Sequence, residues 1–203
     1  MTCNLCSKLP LIAIVALLAA ISVSSRMPAA ATSAAEQKMD RISDANIAAI
    51  VSVAGGLDIA YGKIAMSKAK DKRVKEFAER MVTDHSAVQK AAGELLTKLG
   101  VTPEENETSK GLAANGVKVK EQLGKLTGKD FDKYYIDNEV TYHELVVNAT
   151  ENLLIPNAQN AELKSTLASV LPLFQKHLEH ARQVQASYGK KGAMSEHKMG
   201  MNH

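Results

Sequence analysis

The stretch Val74-Lys75-Glu76-Phe77-Ala78-Glu79-Arg80-Met81-Val82-Thr83-Asp84-His85-Ser86-Ala87-Val88 decides the fold. Its apolar residues Val74, Phe77, Ala78, Met81 and Val88 recur at helical spacing, the period of an α-helix with one buried face. The face continues through Ala92, Leu95 and Leu99. Asp71 is a good N-cap and Gly100 a good stop, so one long helix lies between them. His85 falls on the same face, between Met81 and Val88. A buried imidazole costs free energy unless another group satisfies it.

Three more segments repeat the pattern. The first runs from about Asp44 to Ala69 through Ile47, Ile50, Val51, Ala54, Tyr61 and Ala65, and carries Asp58 on its stripe. The third opens at Asp130, follows Ile136, Val140, Val147 and Leu154, carries His143, and ends at Pro156. The fourth runs from about Ala161 to Tyr188 through Leu163, Leu167, Val170, Phe174, Leu178, Ala181 and Val184, with His177 beside Leu178 and a kink expected at Pro172. Between the second and third lie Pro103, an acidic run at Glu104, Glu105 and Glu107, and a glycine-interrupted segment from Ser109 to Leu126. That segment reads as a long crossover with a weak helix.

Two pairs with short internal connectors and one long connection make a four-helix bundle, each pair antiparallel. At a rise of about 1.5 Å per residue, Asp58, His85, His143 and His177 lie roughly 18, 21, 18 and 24 Å from their connectors. The four can share one layer. Glu139, four residues before His143, lies on the same helix face and is a further ligand or an orienting partner for that imidazole.

At the N-terminus, Lys8 precedes an apolar run from Leu9 to Val23, followed by Ala29-Ala30-Ala31. This is a secretory signal pattern, with cleavage expected after Ala31 or Ala35. The run is shorter than the roughly 20 residues of a spanning helix, and no later segment is expected to cross a membrane. The organisation expected is a signal peptide at 1–31, a linker at 32–42, the bundle at 43–188 and a disordered tail at 189–203. Cys3 and Cys6 both precede the apolar run, so the mature chain has neither disulfide nor thiol. Removing Lys8 and Arg26 with the leader takes the net charge from +3 to 3 − 2 = +1. Lysines and acids are interspersed along every helix, which excludes a nucleic-acid-binding surface. Nucleophile constellations and phosphate-cradling glycine loops are absent from the sequence, so hydrolase and kinase chemistry have no support.

Val74-Lys75-Glu76-Phe77-Ala78 leading to Met81-Val82-Thr83-Asp84-His85, Phe131-Asp132 ahead of His143, and Leu171-Pro172 leading to His177-Leu178 together resemble an uncharacterised family of bacterial secreted proteins with a ferritin-like four-helix domain of unknown function. The resemblance covers roughly residues 43 to 188. It implies an all-α, ferritin-like bundle with a crossover between helices 2 and 3, a periplasmic or outer-membrane-associated location, and a histidine in each of helices 2, 3 and 4. Asp58 stands where such chains often have Glu. Ferritin-like di-iron proteins carry Glu-x-x-His pairs on two helices. Val82 and Phe174 stand three residues before His85 and His177, so both carboxylates are missing and a di-iron centre is disfavoured.

Asp58, His85, His143, His177 and Glu139 therefore form the candidate site for a single transition-metal ion, Zn, Fe, Mn or Cu. Metal handling or envelope stress protection is the function this implies. The alternative is a structural or protein-interaction module without metal, self-associating or bound to an envelope protein, in which the histidines hydrogen-bond to Asp58, Glu139, Tyr61 or Tyr142. Asp84 and His180 read as solvated surface residues, His180 being at most an alternate ligand. The tail from Met194 to His203 combines thioether and imidazole donors, a set suited to copper, with the methionine sulfurs favouring Cu(I).

Overall fold

Ser43 and Asn46 begin helix α1 (Asp44–Lys68) with a reciprocal capping box, which satisfies two otherwise orphaned backbone N–H groups. A computed structural model describes the backbone of residues 42–199 and the side chains of residues 42–188. The expected signal peptide, the linker up to Arg41 and the side chains of the Met/His tail lie outside the described residues.

Asp71 caps α2 (Lys72–Leu99) and left-handed Gly100, with φ 65°, closes it, both as the sequence predicts. The crossover is better ordered than expected. It carries a 19-residue helix, α3 (Glu107–Lys125), capped reciprocally by Asn106 and Ser109. Helix α4 (Gly128–Ala149) starts after Thr127 rather than at Asp130. Its end also differs from expectation. The chain passes through a π-helical turn, Thr150–Leu154, into the three-residue α5 (Ile155–Asn157), where Pro156 occupies the first turn. Proline is tolerated there because first-turn N–H groups have no helical partner. Helix α6 (Ala161–Met199) contains Pro172 without ending at it and extends past Tyr188, where the sequence reading ends it.

The described residues are all-α. Helix α1 packs along α2, α4 along α6, α2 against α6 and α1 against α4, while α3 lies on α1. Both pairs are antiparallel: Gln89 reaches Val51 and Ser52 while His85 meets Asp58, and Arg182 pairs with Glu144 while Gln185 pairs with Asp137. Buried and half-buried charges tie the ends together. The Asp132 carboxylate on α4 accepts from the Lys70 and Asp71 backbone N–H groups in the α1–α2 turn, and Asp44 accepts from Gln159 and Asn160 N–H ahead of α6. Lys68 donates to the Leu123 and Gly124 carbonyls at the end of α3.

Helix α1 is long and apolar enough to cross a membrane by length and composition, with mean hydropathy 1.5 over its best window. The physical reason lies in its position: flanked by α2, α3 and α4, it is apolar on several sides, as a core helix is.

Candidate metal centre

Four helices deliver five residues to a single buried layer, two of them from α4. Asp58 comes from α1, His85 from α2, His143 with Glu139 from α4, and His177 from α6. None of the five is more than 3% exposed. One nitrogen from each of His85, His143 and His177 lies within 4.8 Å of the others, and one ligand atom from each of Asp58, Glu139 and His143 does likewise. All five residues expected from sequence are thus brought together.

Their contacts define which lone pairs face inward. Asp58 Oδ2 lies 3.0 Å from His85 Nε2 and 3.4 Å from His143 Nε2. The His85 approach is close enough to hold the Asp58 carboxyl down but is poorly aligned as a hydrogen bond, and Asp58 Oδ1 and His143 Nε2 are without a hydrogen-bonding partner. His143 Nδ1 lies 3.0 Å from the Glu139 backbone carbonyl. A carbonyl only accepts, so Nδ1 carries the proton and Nε2 presents a lone pair to the layer. The Glu139 carboxylate approaches the same ring at 3.5 Å, with both oxygens also unpartnered.

His177 is oriented by a residue that the sequence reading left on the surface. Its Nε2 lies 2.9 Å from Asp84 Oδ2, and the carboxylate accepts the Nε2 proton. The buried, unpartnered Nδ1 is then the free lone pair. Asp84 is half-buried and also meets Arg80 at 3.3 Å. His180, likewise read as solvated, is half-buried with its ring edge-on to Phe77. Tyr142 does not serve the histidines: its hydroxyl donates to the Ala54 carbonyl at 2.7 Å. Phe174 stacks parallel to His85 at 5.4 Å, an aromatic wall where a di-iron site would have a carboxylate.

Electrostatics separates the two acids. Burial alone would raise the Asp58 carboxyl, but His85, followed by the charges of His143 and His177, holds it below its usual range. Glu139 is pushed well up by burial and then by the Asp58 charge. Burial lowers His143, and it lowers His177 to about 4 against the opposing pull of Asp84. Burial therefore favours the neutral imidazole at His143 and His177, beside one carboxylate that is readily ionised. Such a donor set fits a divalent first-row ion.

A family model described as "Domain of unknown function (DUF4142)" matches residues 28–184. No curated protein sequence matches the chain. Among solved structures the chain is similar to "CopM in the Cu(II)-bound form", at 13% identity and a TM-score of 0.56, covering 73% of this chain and 99% of that one. At that identity the likeness is one of fold.

Proposed function

We propose that this chain, which belongs to the DUF4142 family, holds one transition-metal ion between Asp58, His85, His143 and His177, with Glu139 as a fifth donor or as the group that orients His143. The observation that carries this reading is the crowding of buried acceptor atoms without donors: both Asp58 oxygens, both Glu139 oxygens, His143 Nε2 and His177 Nδ1. Lone pairs facing one another in a dry core are costly, and a cation placed among them relieves that cost. Asp84 on His177 and the Glu139 carbonyl on His143 supply the outer hydrogen bonds that fix ligand tautomers in metal sites.

Zn, Fe, Mn and Cu all accept imidazole nitrogen and carboxylate oxygen, and affinity for such a set peaks at Cu(II). The Cu(II)-bound form of a similar fold makes copper the first ion to test. Ligands buried this deeply suit retention of an ion more than turnover of a substrate, so metal handling or stress protection is the role we assign. The Lys8–Ala31 signal pattern supports the cell envelope as the location of that role. Replacing His85 by Ala is expected to lower metal stoichiometry by elemental analysis while circular dichroism retains the helical signal. Unchanged metal content in a folded variant overturns the reading.

A further inference from the structure

Two groups of three donors overlap within the buried layer. His85, His143 and His177 form one, and Asp58, Glu139 and His143 form the other, with the ligand atoms of each group within 4.8 Å of one another. Donors about 2.1 Å from a tetrahedral ion stand about 3.4 Å apart. Asp58 Oδ2 and His143 Nε2 already have that separation, 3.4 Å.

His143 belongs to both groups and has one lone pair to give. Its Nδ1 proton goes to the Glu139 backbone carbonyl at 3.0 Å, so Nε2 alone is free to ligate. Two ions cannot share that lone pair. The groups are therefore alternatives, filled one at a time.

They differ in donor chemistry and in surroundings. The histidine group is all imidazole, and Phe174 stacks on His85 at 5.4 Å. In the carboxylate group two acids balance the charge of a divalent ion, which a dry core requires. Both Glu139 oxygens are buried without a hydrogen-bonding partner, so the protein itself leaves this group unsatisfied. Burial and then the Glu139 and Asp58 charges push the Tyr61 and Tyr135 phenols up, which marks both rings as neighbours of the acids. The Tyr135 hydroxyl is buried and unpartnered as well. Imidazole nitrogen suits copper and zinc, whereas carboxylate oxygen suits manganese.

We infer that the layer holds one ion at either of two overlapping positions, copper or zinc at His85, His143 and His177, and Mn(II) at Asp58, Glu139 and His143. This rests on the metal-binding reading and adds to it a selection between two classes of ion. Glu139 distinguishes one position, His85 and His177 the other, and His143 makes them mutually exclusive.

The test is titration of the chelator-stripped full chain with Mn(II), followed through the paramagnetic resonance signal of the free ion, and then with Cu(II). About one Mn(II) per chain is expected, released one for one as Cu(II) binds, because affinity rises from manganese to copper. Glu139→Gln is expected to weaken Mn(II) binding at least about tenfold more than Cu(II) binding, and His177→Ala to weaken Cu(II) at least about tenfold more than Mn(II). His85→Ala takes the place of His177→Ala if that variant loses its helical signal. Simultaneous binding of both ions overturns the inference, as do equal losses of both ions in the folded variants. Uptake of only one of the two ions by the wild-type chain overturns it too, while leaving the metal reading in place. A chain that binds neither ion overturns the metal reading and this inference with it.

Discussion

Asp84 on α2 and His177 on α6 meet at 2.9 Å, and this contact turns the His177 Nδ1 lone pair toward the histidine cluster. Removing the carboxylate leaves the ligand in place without its orienting partner. Asp84→Ala is therefore expected to weaken metal affinity by roughly 10- to 100-fold, the usual cost of losing an outer-shell partner, with stoichiometry unchanged at saturating metal. Competition titration against a chromophoric chelator measures this. Unaltered affinity would show that His177 is held by packing alone.

Glu139 is buried with both oxygens unpartnered, and burial with the neighbouring Asp58 charge raises its pKa. Burial thus favours its protonated form when no metal is bound, and the neutral isostere in Glu139→Gln is expected to change metal-free stability by less than about 1 kcal/mol. With metal bound, the wild-type carboxylate loses its proton to the ion and the variant cannot match it. The increase in Tm upon metal addition is expected to be smaller in the variant. Calorimetry with and without the ion decides, and an equal shift in both proteins would exclude Glu139 as a donor.

Metal-free stability is expected to peak near pH 6.5. His143 and His177 have lowered folded pKa values, His177 at about 4, so the unfolded chain binds more protons at these two sites below about pH 6.5. Their contribution is fully present above that value and is lost as pH falls through the folded pKa. Glu139 acts in the opposite sense: its raised pKa favours the folded state at low pH, and that contribution is lost as pH rises above its unfolded value. Below about pH 6.5 the lowered histidines, with His180 also lowered by burial, act against the one acid and stability is expected to rise with pH. Above pH 6.5 the histidine contribution is complete and only the opposing slope of the acid is left. Urea midpoints in chelator across pH 4.5 to 8 test the sign, and a monotonic rise through pH 8 contradicts it.

At Gly62, α1 passes close to the side chain and backbone of α2. A Cβ there would lie 2.7 Å from Val82 Cγ2 and 3.1 Å from the Ala78 carbonyl oxygen. Glycine in mid-helix is otherwise less stable than alanine by roughly 0.5–1 kcal/mol. Because backbone cannot yield as a flexible side chain does, Gly62→Ala is expected to destabilise by about 1–3 kcal/mol. Denaturant unfolding checks it, and a stabilised variant would mean that the helices separate freely at this point.

The sequence makes some of this legible and hides the rest for physical reasons. Capping at Asp71 and closure at Gly100 follow from local chemistry and need no tertiary information. The Asp58, His85, His143 and His177 layer is legible because helical rise and connector positions set its height. Helix α3 is underestimated because its glycines mask a cap that Asn106 and Ser109 supply reciprocally. The π turn at Thr150–Leu154 has no period to betray it. Asp84 escapes because it lies one residue off the apolar stripe of α2 and finds its partner on another helix. Its adjacency to His85 was the one available signal.

The central claim is that the four-helix layer holds a metal ion, and metal content by mass spectrometry on the chain isolated without chelator or nickel resin tests it most directly. About one transition-metal ion per chain, retained when residues 190–203 are removed and lost in His143→Ala, is the result the account predicts. Metal-free protein that takes up no Cu(II), Zn, Fe or Mn upon titration would contradict it and leave the histidines as buried groups of the core.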